Sequence, residues 1–265
     1  MNQLEYALID THCHLTSSQF TGCVPDIIES AQAAGVHRMI TVATDGDDAI
    51  AARELANIDD RVFFSSGIHP LHADGDWNWD YVCAAAQDKR CVAWGELGLD
   101  CHYDKPDYEL QSKLLEEHIS IIEESEGDER PIIVHCRRAV TDLLPIFEDS
   151  SIEGNRFVFH CFTETPEEAK LILDFGSMIS FTGVVTYKNA VEVVAAAEIV
   201  PMDRIMVETD APYLSPEPVR KMRPNEPKNV VHTAAFLAAL KGQSLVEFEQ
   251  QLDMNANNFF RLPPL

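Results

Sequence analysis

Short apolar runs alternate with longer stretches of helical period from one end of the chain to the other. The runs predict strands at residues 7–11, 38–42, 62–65, 92–94, 132–134, 157–159, 178–181 and 205–207. Between them, apolar positions spaced by three and four predict helices at 26–34, 47–57, 80–87, 108–124, 139–147, 166–174 and 190–199, with two more at 228–240 and 245–258. Local punctuation agrees with these limits. Thr165 is placed to cap a helix that opens on Pro166, and Gly35 and Gly176 stand where a helix ends. Eight strands, each followed by a helix, predict an α/β fold of the closed (β/α)8 type, a TIM barrel, rather than an open sheet. The chain has no GxGxxG or P-loop motif, which weakens the doubly wound alternative.

Composition narrows the setting. The chain is 265 residues long, 46% hydrophobic and 24% charged, enough for a substantial core and ordinary for a globular protein. Without a linker, repeat or low-complexity tract, residues 1–265 are expected to form one domain. Its opening, MNQLE, has neither the basic nor the apolar region of a signal peptide, and no apolar run approaches the roughly 18–20 residues that span a bilayer. A cytoplasmic protein is expected. The seven cysteines, odd in number and without a CxxC pair, agree with that. A net charge of −24 repels nucleic acid and anionic lipid at long range, and argues against holding a duplex through many phosphates. Bound divalent cations would reverse the sign locally.

The candidate chemistry begins at His12 and His14, which share one face at the end of the first strand. Alone, an HxH pair says little. However, Glu96 follows the fourth strand, His135 the fifth, His160 the sixth and Asp210 the eighth. A barrel gathers such positions around one axis. Imidazole and carboxylate without thiolate suit zinc, manganese, iron or magnesium, and not a closed structural zinc site. Six donors exceed one tetrahedral ion and suit two divalent ions, with Glu96 as a candidate bridge. Asp210 could also take a proton from the attacking water. His69 ends the third strand and could meet a substrate phosphate, as could Arg137 just after His135. The bland alternatives are a capping histidine packed by Pro70 and a surface ion pair of Arg137 with Asp142.

The motifs DTHCH, GIHP, GELGLD, HCR, HCFTE and ETDAPYL, with a later RPNEP, resemble those of the TatD family of metal-dependent deoxyribonucleases, in family order over nearly the whole chain. The resemblance implies an amidohydrolase-like barrel, a pair of divalent metal ions (Mg, Mn or Zn), and hydrolysis of DNA or another phosphodiester by a metal-activated water. By motif, His12, His14, Glu96 and Asp210 would hold the first ion, and Glu96, His135 and His160 the second. Only the acidic stretch at 126–129 departs from the family pattern, and it bears on local loop shape.

Together with the acidic charge, this predicts a 3′-end exonuclease that grips DNA ends or short single strands, needs no membrane, and is compatible with a monomer. One alternative is an esterase or amidase acting on a small molecule or an aminoacyl-tRNA ester, because fold alone does not fix the substrate. A second is a non-catalytic metal-binding protein. Among the remaining residues, Asp10 and Glu208 are expected to orient imidazoles, Asp100 to cap a loop or to serve catalysis, and Arg223 to resemble Arg137. Cys13, Cys136 and Cys161 should face outward beneath the helices. His37, His102, His118 and His232 are assigned to the surface, His72 is left open, and Trp77 and Trp79 read as packing anchors. The proline-rich loop 211–227 should lie at the catalytic end of the barrel.

Overall fold

The apolar runs form eight strands in a computed structural model that describes residues 8–125 and 127–264. They are β1 (Leu8–Cys13), β2 (Val36–Val42), β3 (Val62–Ser66), β4 (Cys91–Asp100), β5 (Ile132–Arg137), β6 (Phe157–Phe159), β7 (Met178–Phe181) and β8 (Ile205–Val207). The residues read for a leader, Ala7 at the expected opening of β1, and Glu126 in the acidic loop lie outside the described residues. All neighbouring strands are parallel, and their order in the sheet follows the chain. The helices are α1 (Val24–Ala33), α2 (Gly46–Ala56), α3 (Trp79–Ala86), α4 (Tyr108–Glu124), α5 (Val140–Glu148), α6 (Pro166–Phe175), α7 (Val191–Ile199), α8 (Val230–Leu240) and α9 (Leu245–Phe260). Thr165 caps α6 in a reciprocal box with Glu168, and Gly176 closes it in the left-handed conformation at φ 104°.

Closure of the ring falls to the segment after β8. Cys13 bridges Ala211, His14 N donates to Ala211 O at 2.7 Å, and Asp210 N donates to His12 O at 2.9 Å. The buried Asp10 carboxylate reinforces the seam by accepting from Thr209 N at 2.8 Å and Thr209 Oγ1 at 2.5 Å. It also meets the backbone N–H of His12 at 3.4 Å. Asp10 therefore fixes the main chain on both sides of the seam rather than the His12 ring, which corrects the expected role.

Side-chain alternation divides the strands between two cores. Outside the ring, Phe64, Val134, Phe159 and Val207 pack against helical residues such as Ala49, Leu143 and Ile172. Inside it, Ile40, Phe63, Ile133, Val158 and Met206 meet Phe260 and Leu262 from the end of the chain. One pleat further along the inner face, two residues past Ile133, Val158 and Met206, come His135, His160 and Glu208. The apolar plug thus floors a polar layer at the C-terminal ends of the strands.

At the opposite end stand Arg38, Arg61, Arg90, Arg130, Arg156 and Arg204, each within two residues of a strand start. Helix C-termini converge there with unpaired carbonyls and the negative end of the helix dipole. Arg90 donates to Val62 O at 2.5 Å, Arg156 to Arg130 O at 2.8 Å, and Arg204 to Gly176 O. Six of the chain's 20 cationic side chains are therefore spent away from the strand C-termini.

Strand β4 runs six residues past its expected end at Trp94, through Glu96 to Asp100. Its register against β5 shifts between Trp94 and Leu97. Gly95 and Gly98 make that path open: a Cβ on Gly95 would lie 2.5 Å from Ile133 O, and one on Gly98 would lie 2.0 Å from His135 O. Both also have positive φ, at 120° and 144°. Only glycine lets β4 press so closely on β5, and that approach sets Glu96 beside His135.

His118 is buried in α4, contrary to its expected surface position. Its Nε2 accepts from Ile68 N at 3.0 Å, its Nδ1 donates to Leu114 O at 3.1 Å, and Trp79 packs edge-on at 4.7 Å. Burial pushes the ring down to about 3 from its usual 6.5. Between those values the unfolded chain binds the extra proton, so stability present above pH 6.5 is lost as the pH falls toward 3. His118→Gln should flatten this part of the profile. Urea midpoints between pH 7 and about pH 4 should fall less steeply for the variant, by up to ~1.4 kcal/mol per pH unit. Identical slopes would show that His118 is not held neutral by the fold.

Candidate metal centre

The polar layer converges on Glu96, which is only 1% exposed. Its Oε1 lies 2.6 Å from His160 Nε2, 2.7 Å from His135 Nδ1 and 3.4 Å from His69 Nε2. Its Oε2 lies 3.3 Å from His12 Nε2. On the β1 side, His14 Nε2 is 3.3 Å from His12 Nε2 and 3.3 Å from Asp210 Oδ1. All six expected donors therefore meet in one place, Asp210 at a backbone with φ 53°. Glu96 lies within a strand rather than at its end, as the longer β4 requires.

Hydrogen bonds on the far side of His14 and His135 show which of their nitrogens face inward as lone pairs. His14 Nδ1 donates to Val42 O at 2.9 Å, leaving Nε2 free. His135 Nε2 donates to Asp100 Oδ2 at 3.1 Å, leaving Nδ1 free. His160 Nδ1 faces Glu208 Oε1 at 3.4 Å, a contact longer than a full hydrogen bond, and its Nε2 faces Glu96. Glu208 is itself held by Ser180 Oγ and by Cys161 N, each at 2.6 Å. His12 is placed by stacking on His160 at 4.0 Å. His69 differs. Its Nδ1 accepts from Leu71 N at 3.0 Å, so its inward Nε2 carries the hydrogen and donates.

These donors fit divalent cations. A tetrahedral ion about 2.0–2.1 Å from each ligand sets neighbouring ligand atoms about 3.3 Å apart. The His12–His14 pair stands at 3.3 Å and the His135–His160 pair at 3.4 Å. Two lone pairs that close are unfavourable unless a proton or a metal ion lies between them. Three groups of donors could hold an ion: His12 with His14 and Asp210, His12 with Glu96 and His160, and His69 with Glu96 and His135. The hydrogen on His69 Nε2 sets the third group apart.

The electrostatics point the same way. Burial opposes charge on every ring, yet Asp210 lifts His14 to about 9, and Glu96 with Glu208 lifts His160 well above the usual histidine value. Against its own burial, Glu96 is held well below the carboxylate range by His160, His69 and His12. His12 and His69 are lowered, chiefly by burial, His69 to about 4. The cluster draws positive charge, and metal ions compete with protons for the same nitrogens.

Above it opens a cleft of about 980 Å³, lined by the site and by Asp45, Asp48, His72, Tyr103, Arg137, Thr163 and Tyr213, among others. Arg137 lies 4.0 Å from Asp100, and that is its ion pair rather than the alternative with Asp142. Arg223 serves the loop, donating to Ser215 Oγ at 2.9 Å, and does not line the cleft. Cys136 packs in the outer core as expected, its edge reaching the cleft, whereas Cys161 lines the cleft, turned there by a backbone at φ 45°. Burial pushes both thiols up, so they stay protonated. Cys13 is buried in the outer core as expected. Trp77 and Trp79 are anchors, bonded to Ala73 O and to Glu117.

Sequence reading undervalued Asp100. Its Oδ1 caps His102 N at 2.9 Å while Oδ2 orients His135, and its parity with Glu96 on one strand was the available signal. Asn225 went unassigned. Buried, it donates to Thr209 O at 3.2 Å and Tyr213 O at 2.7 Å, holding the loop that carries Asp210.

Comparison with known proteins agrees with this arrangement. The family model described as TatD related DNase matches residues 9–261. The chain is 37% identical over 258 residues to the metal-dependent hydrolase YcfH of Escherichia coli (strain K12), covering 96% of this chain and 95% of that protein. It is 30% identical over 263 residues to the 3′-5′ ssDNA/RNA exonuclease TatD of Pantoea vagans, covering 96% and 100%. Among solved structures, YJJV, a TatD homolog from Escherichia coli K12, aligns at a TM-score of 0.89 and 26% identity over 97% of this chain and 98% of that one. A parallel eight-stranded barrel with imidazoles and carboxylates meeting at its strand ends, and sequence kinship over nearly its whole length, place this chain in the TatD family of metal-dependent hydrolases.

Proposed function

We propose that the protein hydrolyses phosphodiester bonds at the 3′ ends of single-stranded DNA, assisted by two divalent cations. One observation carries the reading: the two oxygens of the buried Glu96 carboxylate face two different nests of imidazole nitrogens, so one carboxylate serves both. His12, His14 and Asp210 would hold one cation with Glu96, and His135 and His160 the other. Cations bound there supply Lewis acidity at a phosphoryl oxygen and make water a nucleophile at neutral pH. The Pantoea relative, named as an exonuclease of single-stranded DNA and RNA, supports the substrate class.

The chain's own groups then have distinct tasks. Asp210, beside His14 and 14% exposed at its side chain, takes the proton of the attacking water. His69 offers a neutral N–H to a phosphate oxygen, its tautomer set by Leu71 N. Arg137, 41% exposed at the cleft, offers a charged donor to another. The acidic surface favours one strand end over a long duplex. The seven free thiols fit action in a reducing compartment such as the cytoplasm.

Protein treated with a chelator should lose turnover of a 5′-labelled oligonucleotide and recover it with Mg, Mn or Zn. Shortening should proceed from the 3′ end. Turnover of a carboxylic ester with no cleavage of any phosphodiester would overturn the reading. Glu96→Gln should lower kcat/KM by about 10²–10³-fold or more, and reduce bound metal by elemental analysis at unchanged circular dichroism. Unaltered turnover would place the activity elsewhere. His69→Gln should lower kcat about 10²-fold while metal content stays at the wild-type level, because this ring donates to substrate. Loss of metal in that variant would make it a ligand instead.

A further inference from the structure

Resting on the single-strand reading above, we propose that Tyr103 and Tyr213 are the nucleobase platforms of the cleft, one on each side of the scissile phosphate. Both rings line the cleft, and both are 51% exposed. The other large apolar side chains at least this exposed among the described residues, Ile58, Val191 and Val246, lie outside the cleft, in the turn after α2 and on outer helices. An aromatic face left bare at the mouth of a charged cleft is a surface awaiting a planar partner.

Topology puts the two rings on opposite walls. Tyr103 follows the end of β4 by three residues, and Tyr213 follows Asp210 by three, beyond β8. In a closed ring of eight, β4 and β8 stand four strands apart, across the barrel axis. Glu96 and Asp210 come from these same two walls. A strand laid from one tyrosine to the other would pass its phosphate over the centre.

Each platform is fixed from behind. The Arg137 guanidinium carbon lies 5.2 Å from the centroid of the Tyr103 ring, and the same guanidinium is 4.0 Å from Asp100. Tyr213 N donates to Asp210 O at 2.9 Å, and Asn225 Nδ2 holds Tyr213 O at 2.7 Å. The Tyr213 ring also meets His14 edge-on at 6.3 Å. Its position is therefore tied to the reacting centre.

Charge supplies the reason such platforms are needed. Arg137 is the one Lys or Arg that lines the cleft among the described residues, whereas Asp45, Asp48 and Asp100 line it beside the cation ligands Glu96 and Asp210. A strand cannot be gripped there mainly through its phosphates. The uncharged faces of its bases remain, and stacking on them tolerates any sequence.

The test measures kcat and KM on oligothymidylate, and on the same strand with abasic sugars at its two 3′-terminal positions. Tyr103→Leu and Tyr213→Leu should each raise KM on the intact strand about tenfold, with kcat within about twofold. Tyr→Phe at either position should restore the wild-type KM. The preference for intact over abasic strand, as a ratio of kcat/KM, should fall about tenfold in each Leu variant, which general damage to the cleft would not produce. A wild-type KM in the Leu variants, or an equal loss on both strands, would overturn the platforms while leaving the nuclease reading standing. A wild-type protein that cleaves neither strand would overturn both.

Discussion

A carboxylate buried at the heart of a barrel governs much of what surrounds it. Burying a lone charge costs several kcal/mol even after relaxation, so Glu96 must be met by groups that offset it. Four imidazoles meet it; His135, His160 and His69 are met from behind by Asp100, Glu208 and Leu71 N, and His12 stacks on His160. The glycines of β4 belong to the same solution: without their missing side chains, the strand could not lie against β5 and bring Glu96 within 2.7 Å of His135.

The surrounding carboxylates and amides turn that cluster from a coincidence of side chains into a rigid constellation. Asp100 and Val42 O choose the inward nitrogens of His135 and His14. Glu208 stands behind His160 and ties the turn after β6 through Cys161 N. Asp10 and Asn225 act on the main chain, at the seam and at the loop beyond β8, and so govern where Asp210 comes to rest. His118 does the same for the Ile68–His69 segment. Such preorganisation means that little has to move when a cation or a substrate arrives.

Charge is distributed with equal consequence. Arginines collect where helix C-termini and strand starts leave carbonyls to be satisfied, while Arg137 is the one Lys or Arg among the described residues lining the cleft. A polyanion entering this cleft meets net repulsion that only bound cations reverse. A barrel does not by itself fix the reaction; the lining of its mouth does.

Much of the site was legible without coordinates because it rests on local rules. Alternation put His12 with His14 and set His135, His160 and Glu208 one pleat beyond apolar residues. Helical period placed nine helices within two residues of their observed bounds. What stayed hidden depends on which elements touch. That β4 continues to Asp100 follows from its glycines meeting β5. That His118 is buried follows from Ile68 lying beneath α4. Cys161 lines the mouth through a left-handed turn that alternation cannot foresee. Which nitrogen of His14 and His135 faces inward was settled by acceptors on other strands. The sequence by itself determined the donors and their order along the chain. The tertiary structure alone decided their tautomers, their supports and the walls of the cleft, because those depend on contacts between residues far apart in the chain.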